Sequence, residues 1–108
     1  MKKIFLLLAI ILGFSFNINA EKAEITGQKD KFVDYEVIHN SSNSRGHSYT
    51  IKFKNDNDFS VILSILKPKG CSNYSAEYGI WILAYDTKEV VVLTDVEPYG
   101  WYIAFRES

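Results

Sequence analysis

Residues 48–66 read SYTIKFKNDNDFSVILSIL. In the first part of this stretch apolar and polar side chains alternate, which places Tyr49, Ile51 and Phe53 on one side of an extended chain. Four turn-forming residues, NDND at 55–58, interrupt the alternation. It then resumes at every second position: Phe59, Val61, Leu63, Ile65. Two alternating runs joined by a short turn predict two β-strands paired as a hairpin.

The rest of the chain contains further strand-like runs separated by turn-forming residues. These runs occupy residues 31–39, 77–85, 89–94 and 101–106. A helix over residues 75–93 is disfavoured because Gly79 and several stiff β-branched side chains lie within it. The pattern predicts an all-β fold of about six to seven strands. Either a small antiparallel β-sandwich of the immunoglobulin-like kind or a small barrel would satisfy it.

The first 20 residues have the features of a secretory signal peptide. A short basic start, Met1-Lys2-Lys3, precedes an apolar run that is too short to span a bilayer, and Ala20 offers a cleavage site. We therefore expect residues 1–20 to be removed and residues 21–108 to form a single β domain with no membrane span. Such a domain would be exported, to a periplasm or out of the cell, and the abundance of Lys, Asn and Ile favours a bacterial source.

Composition and charge exclude several classes of protein. A chain of 108 residues is too short for a multidomain enzyme, and its 47% hydrophobic content argues against disorder. Loss of Lys2 and Lys3 with the signal peptide would change the net charge from −1 to −3, the wrong sign for a nucleic-acid-binding surface. Cys71 is the only cysteine, so it either packs as a free thiol or joins two chains through an intermolecular disulfide.

Few residues could carry out catalysis or bind a metal. Cys71, His39 and His47 could form a nucleophile–base pair, but no surrounding motif would supply an oxyanion hole. The two histidines flank one polar loop and would come close if its strands pair, yet two imidazoles alone do not make a structural zinc site. The acidic run at residues 56–58 lacks the later glycine and glutamate of a calcium loop. We therefore expect no enzymatic activity, no metal and no cofactor.

Three of the predicted strands are apolar on both faces. The side chains on the second face are Ile62, Leu66, Trp81, Leu83, Tyr85, Val91 and Leu93. In a two-layer β fold the outer faces meet water and are normally polar. Either the chain itself covers this second face or a partner does.

Aromatic residues near the predicted turns favour a partner-binding function, because Tyr and Trp are enriched among the residues that anchor interfaces. The candidates are Tyr99, Trp101, Tyr78, Tyr74 and Trp81. We predict an exported, non-enzymatic binding protein that presents an apolar, aromatic-edged β surface to a protein partner, in the manner of an inhibitor or an immunity protein. Two alternatives stay open: a structural subunit that forms homo-oligomers, and a small enzyme or ligand carrier that uses Cys71 or His47.

Overall fold

The structure, a computed structural model, describes residues 20–77 and 79–108. Apart from Ala20, the predicted signal peptide lies outside the described residues, and so does Tyr78. The strands are β1 (Ala20–Thr26), β2 (Phe32–Asn43), β3 (Gly46–Lys54), β4 (Val61–Lys69), β5 (Tyr74–Ser75), β6 (Trp81–Ile82), β7 (Thr87–Thr94) and β8 (Gly100–Glu107). In the described part of the chain, no helix is long and apolar enough to cross a membrane.

The eight strands form one sheet in the order β5-β7-β3-β2-β1-β8-β4-β6, and this sheet curls into a half-barrel. Neighbouring strands are antiparallel except β1 and β8, which run parallel where Ile25 lies opposite Phe105. The predicted all-β class is confirmed. Between the two predicted architectures, a single curled sheet corresponds to the barrel in an open form. The strand number exceeds the prediction because β1 and the two-residue β5 lie outside the predicted runs. Of the strand predicted over residues 77–85, only Trp81–Ile82 forms one among the described residues.

The core lies on the concave face of the sheet. Its most deeply buried apolar side chains come from seven strands: Ile25, Val33, Ile51, Phe53, Val61, Leu63, Leu66, Ile82, Val90, Val92 and Phe105. Phe53 of β3 meets Phe105 of β8 edge to face, with 5.2 Å between ring centroids, although two strands separate β3 from β8 in the sheet. The curl therefore lets one sheet close its own core, and each such buried side chain contributes about 1.5–3 kcal/mol.

The predicted hairpin between residues 48–54 and 59–66 is wrong. β3 pairs with β2 and β7, whereas β4 pairs with β8 and β6 on the other half of the sheet. The connection between them crosses the half-barrel, with Asn55 fully buried and Phe59 packed against the core. Alternation identifies the two faces of a strand but not its neighbours, and so it could not distinguish this crossing from a hairpin.

The buried Asn55 side chain holds the crossing in place. Its Nδ2 donates to three carbonyl oxygens, those of Phe59, Ile82 and Leu83, at 2.9, 3.2 and 3.1 Å. Its Oδ1 accepts from the backbone N–H of Asn57 at 3.0 Å, and its own backbone N–H donates to the carbonyl of Asp86 at 2.9 Å. One side chain thus connects the β3–β4 crossing to the segment that leads from β6 into β7.

A β-bulge at Ser64 changes which β4 side chains face the core. The register with β8 shifts between Leu63 and Ile65. Leu66, which the strict alternation placed on the second face, is consequently 1% exposed and belongs to the core. Ile65, expected inside, is only half-buried.

Most of the other side chains of the predicted second face are exposed. Ile62 is buried. Five are more than half exposed: Trp81, Leu83, Tyr85, Val91 and Leu93. The described part of the chain therefore does not cover them.

Replacement of Asn55 tests the crossing. Asn55→Asp keeps the shape but removes both N–H donors and places a carboxyl group in the core, so we expect a loss of about 2–4 kcal/mol in the free energy of unfolding. Urea denaturation at pH 7 measures it. Asn40→Asp is the control, because the Asn40 amide is exposed and bonds only to Ser48 and Thr50 hydroxyls. A similar loss in both variants would show that Asn55 has no special role.

Candidate binding cleft

The β2–β3 hairpin carries polar and aromatic side chains on its concave face, beyond the end of the core. In its register His39 lies opposite Tyr49, and Ser42 lies opposite His47. A bulge between His39 and Ser41 shifts the alternation, so that Ser42 faces the same side as both histidines. The expectation that the two histidines approach each other when their strands pair is confirmed.

Four rings form what we call the aromatic ladder: His47, His39, Tyr49 and Trp101. The ring centroids lie 5.6 Å apart for the two histidines, 4.7 Å for the stacked His39–Tyr49 pair and 5.4 Å for the edge-on Tyr49–Trp101 pair. Ser42 Oγ lies 2.8 Å from both His39 Nε2 and His47 Nδ1, so its hydroxyl can donate to one imidazole and accept from the other. These contacts tie the hairpin to β8 and fix the shape of one wall.

A cleft of about 350 Å³ lies between the aromatic ladder and the turn that joins β7 to β8. Its lining residues are Glu21, Val37, His39, Tyr49, Glu97, Pro98, Tyr99, Gly100 and Trp101. Two of them, Glu21 and Glu97, carry carboxylates, and none is a lysine or an arginine. The cleft therefore combines aromatic surface with negative charge.

Tyr99 stands at the rim of this cleft in a fixed position. It is 82% exposed, the highest value among the large apolar side chains in the described part of the chain. Its backbone N–H donates to the carbonyl of Lys69 at 3.1 Å, and its ring lies against Gly70. A Cβ atom on Gly70 would come within 2.7 Å of Tyr99 Cδ2, so only glycine leaves room for the ring there. The ring is thus exposed and positioned at the same time.

Tyr49 contributes a buried polar atom to the cleft. The residue is 5% exposed, and its hydroxyl has no hydrogen-bond partner among the described residues. Burial raises the pKa of the Tyr49 phenol, and the charges of Glu97 and then Cys71 raise it further. Leaving a buried hydroxyl without a partner costs about 1–3 kcal/mol. In the free protein this unpartnered hydroxyl therefore lowers the free energy of unfolding.

The structure separates the five residues that the sequence singled out for partner binding. Tyr99 and Trp101 line the cleft together. Tyr74 is half-buried in β5, where it lies opposite Thr94, and Trp81 is exposed on β6, opposite Ile62 of β4. Tyr78 lies outside the described residues. The predicted set therefore contributes two members to the cleft and none of its charge.

Sequence reasoning missed Glu21 and Glu97 as members of this cleft. No motif surrounds either residue, and they stand 76 positions apart in the chain, 21 against 97. They line the same cleft because β1 and β8 lie side by side in the sheet. The one signal available was the position of Glu97 directly before the Pro98-Tyr99-Gly100 turn, which projects its neighbours towards one end of the fold.

The residues of the alternative enzymatic interpretation are bonded elsewhere. Cys71 is a half-buried free thiol whose Sγ donates to the carbonyl of Val96 at 3.2 Å, and His47 is bonded to Ser42. Within residues 20–77 and 79–108, no group of three or more His, Cys, Asp or Glu side chains is arranged to hold a metal ion.

Comparison with known proteins does not assign a function to this arrangement. Neither a protein-family model, nor a curated protein, nor a solved structure matches the chain significantly. Function is therefore argued from the residues and their geometry.

The hydroxyl of Tyr49 can be removed without other change. We expect Tyr49→Phe to raise the free energy of unfolding at pH 7 by up to about 1 kcal/mol, because the desolvation cost disappears and no bond is lost. Above pH 10 the unfolded state ionises before the folded one, because burial raises the pKa of folded Tyr49 above its ordinary 10.0. Stability therefore falls as the pH rises, and Tyr49→Phe should lessen this fall.

Urea denaturation at pH 7 and pH 11 measures both effects. Tyr102→Phe is the control, because Tyr102 is half exposed on the same strand as Trp101 and should leave stability unchanged at both pH values. A destabilised Tyr49→Phe variant would show that the hydroxyl has a partner after all.

Two glycines separate the effect of backbone strain from the position of Tyr99. Gly70 (φ +89°) and Gly27 (φ +83°) both adopt the left-handed region, but only Gly70 lies against a side chain. We expect Gly70→Ala and Gly27→Ala each to lose about 1–2 kcal/mol. Only Gly70→Ala should displace the Tyr99 ring, seen by NMR as lost contacts between that ring and residue 70 and as shifted ring signals. Unchanged Tyr99 signals in Gly70→Ala would mean that Gly70 does not position it.

Proposed function

We propose that this domain is an exported, non-enzymatic binding protein that docks on another protein through the end of the half-barrel that carries Tyr99. The observation that supports it is the exposure of Tyr99 together with the contact of its ring with Gly70. An exposed ring that packs on no core contributes little to folding. The contact with Gly70 restricts the ring, which lowers the conformational entropy lost when a partner covers it.

The surroundings of Tyr99 also support docking. Trp101 lies two residues away and closes the bottom of the aromatic ladder. Tyr and Trp are enriched among residues that dominate binding energy, particularly where they sit beside a pocket that a partner can fill. The β7–β8 turn presents both residues next to a concave surface, which suits docking on a protein partner, as an inhibitor or immunity protein would do.

Site-specific cross-linking tests this proposal. A photoreactive phenylalanine analogue at position 99, in the cells that produce the protein, should cross-link one discrete partner. The same analogue at position 102 should not, because Tyr102 lies on the convex face of β8, away from the cleft. Mass spectrometry identifies the partner, which is then purified.

Binding of the purified partner completes the test. We expect Tyr99→Ala to raise the dissociation constant of the complex by at least about 10-fold, as for an interface residue that contributes 1.4 kcal/mol or more. Tyr102→Ala should change the constant by less than about 2-fold, as for a residue outside the interface. Absence of a cross-linked partner, equal cross-linking from both positions, or equal effects of the two substitutions would each contradict the proposal.

A further inference from the structure

We infer that the cleft receives a positively charged side chain, lysine or arginine, from the protein partner. This inference rests on the proposed function, because it takes the occupant to be part of the docked protein. It names the chemistry of the contact that Tyr99 flanks. Charge and aromatic surface point to a cation, and an unpartnered polar atom points to a polar ligand.

The charge of the cleft fits a cation. Glu21 and Glu97 line it, and no lysine or arginine lines it. The α-ammonium group that signal cleavage would create on Glu21 offsets at most one of the two carboxylates, so the cleft keeps a negative charge. Glu21 already accepts a hydrogen bond from the Tyr35 hydroxyl at 2.8 Å, which holds its carboxylate in one place. A carboxylate that is fixed before binding attracts an incoming ammonium or guanidinium group without first being ordered.

The aromatic surface fits the same group. Tyr99, which is 82% exposed, and Trp101 line the cleft, and the negative face of a tyrosine or tryptophan ring attracts a cation. The methylene stem of lysine or arginine would cover apolar ring surface while its charged head reaches the carboxylates. A volume of about 350 Å³ is at the small end of ligand pockets, which suits one extended side chain rather than a large cofactor.

The Tyr49 hydroxyl is an independent indication of a ligand. It is buried in the wall of the cleft, has no partner among the described residues and lies within the field of Glu97. Ammonium and guanidinium groups carry several N–H donors and accept nothing. A cation held by Glu97 could therefore donate to Tyr49 Oη as well, after a small shift of the covering atoms. A bare metal ion is a poorer candidate, because the described residues offer no group of three ligands.

Tripeptides test the chemistry directly. The sequence has two tryptophans, Trp81 and Trp101. Trp81→Phe leaves Trp101 as the single one, so that tryptophan fluorescence reports on the cleft. We expect acetyl-Gly-Lys-Gly-amide and its arginine analogue to give saturable changes with dissociation constants on the order of 1 mM, as contacts of this kind predict. The norleucine analogue keeps the four-carbon stem of lysine without the charge and should give none.

Charge and hydroxyl variants then locate the contact. Glu97→Gln should raise the dissociation constant of the lysine peptide by about 3- to 5-fold. Glu24→Gln removes the same charge outside the cleft and should leave that constant unchanged. Tyr49→Phe should raise the dissociation constant of the lysine peptide by about 3- to 10-fold, although we expect this variant to be more stable than the unaltered protein. Equal binding of the norleucine peptide, or equal effects of Glu97→Gln and Glu24→Gln, would overturn the inference.

The purified partner separates failure of this inference from failure of the proposed function. If Tyr99→Ala weakens binding of the partner but Glu97→Gln does not, the docking proposal survives and the cationic contact is wrong. Butylammonium, a free amine with the four-carbon stem of lysine, is the remaining probe. If it binds the cleft while neither Tyr99→Ala nor Glu97→Gln changes binding of the partner, the cleft binds a free amine, and the inference that the partner supplies the cation is overturned. Weakening by both variants supports both statements.

Discussion

The carboxamide of Asn55 is the contact on which the arrangement of the sheet depends. A single sheet that curls around its own core has an open side, and the chain must cross that side to pass from β3 to β4. The crossing brings backbone carbonyls of Phe59, Ile82 and Leu83 to the fully buried Asn55 side chain. The two N–H donors of its carboxamide serve these three carbonyls, one donor being shared between two of them, and its oxygen accepts from the Asn57 N–H.

The cleft depends on the same crossing through the position of β4. Because β4 starts where the crossing ends, it reaches β8 in a register that places Pro68 opposite Trp101 and Lys69 opposite Gly100. That register brings the Lys69 carbonyl to the Tyr99 N–H and Gly70 beneath the Tyr99 ring. A stabilising buried contact at one end of the half-barrel thus sets the geometry of the other end. There, the buried Tyr49 hydroxyl costs stability instead, as is common at sites that bind.

Sequence patterns predicted most of the longer strands, but not the short strand within residues 77–85, and they predicted the neighbours of the strands poorly. Alternation located β2, β3, β7 and β8, and the polar loop between His39 and His47 correctly indicated that the two rings meet. The alternation failed at Ser64, where a bulge places Leu66 in the core. The hairpin prediction failed at residues 55–58, whose turn-like composition belongs to a segment that crosses the half-barrel. The first failure concerns the register within one pair of strands, which a single bulge shifts. The second concerns which strands pair, which depends on contacts between distant parts of the chain. Glu21 joins Glu97 in the cleft for this second reason, and no local pattern records it.

The exposed apolar side chains on the convex side compete with the cleft as the docking surface, and their distribution decides against them. Trp81 belongs to β6 at one edge of the sheet, Val91 and Leu93 belong to β7 near the other edge, and Leu83 and Tyr85 lie in the segment that connects β6 to β7. Exposed apolar side chains spread over several elements are ordinary in small proteins and require no partner. The cleft differs because three of its rings, those of His39, Tyr49 and Trp101, pack against one another, two carboxylates line it and one of its polar atoms has no partner in the described part of the chain. A partner gains more from a concave, ordered and charged surface than from dispersed apolar contacts, because less freedom is lost on binding and the contacts are specific in geometry.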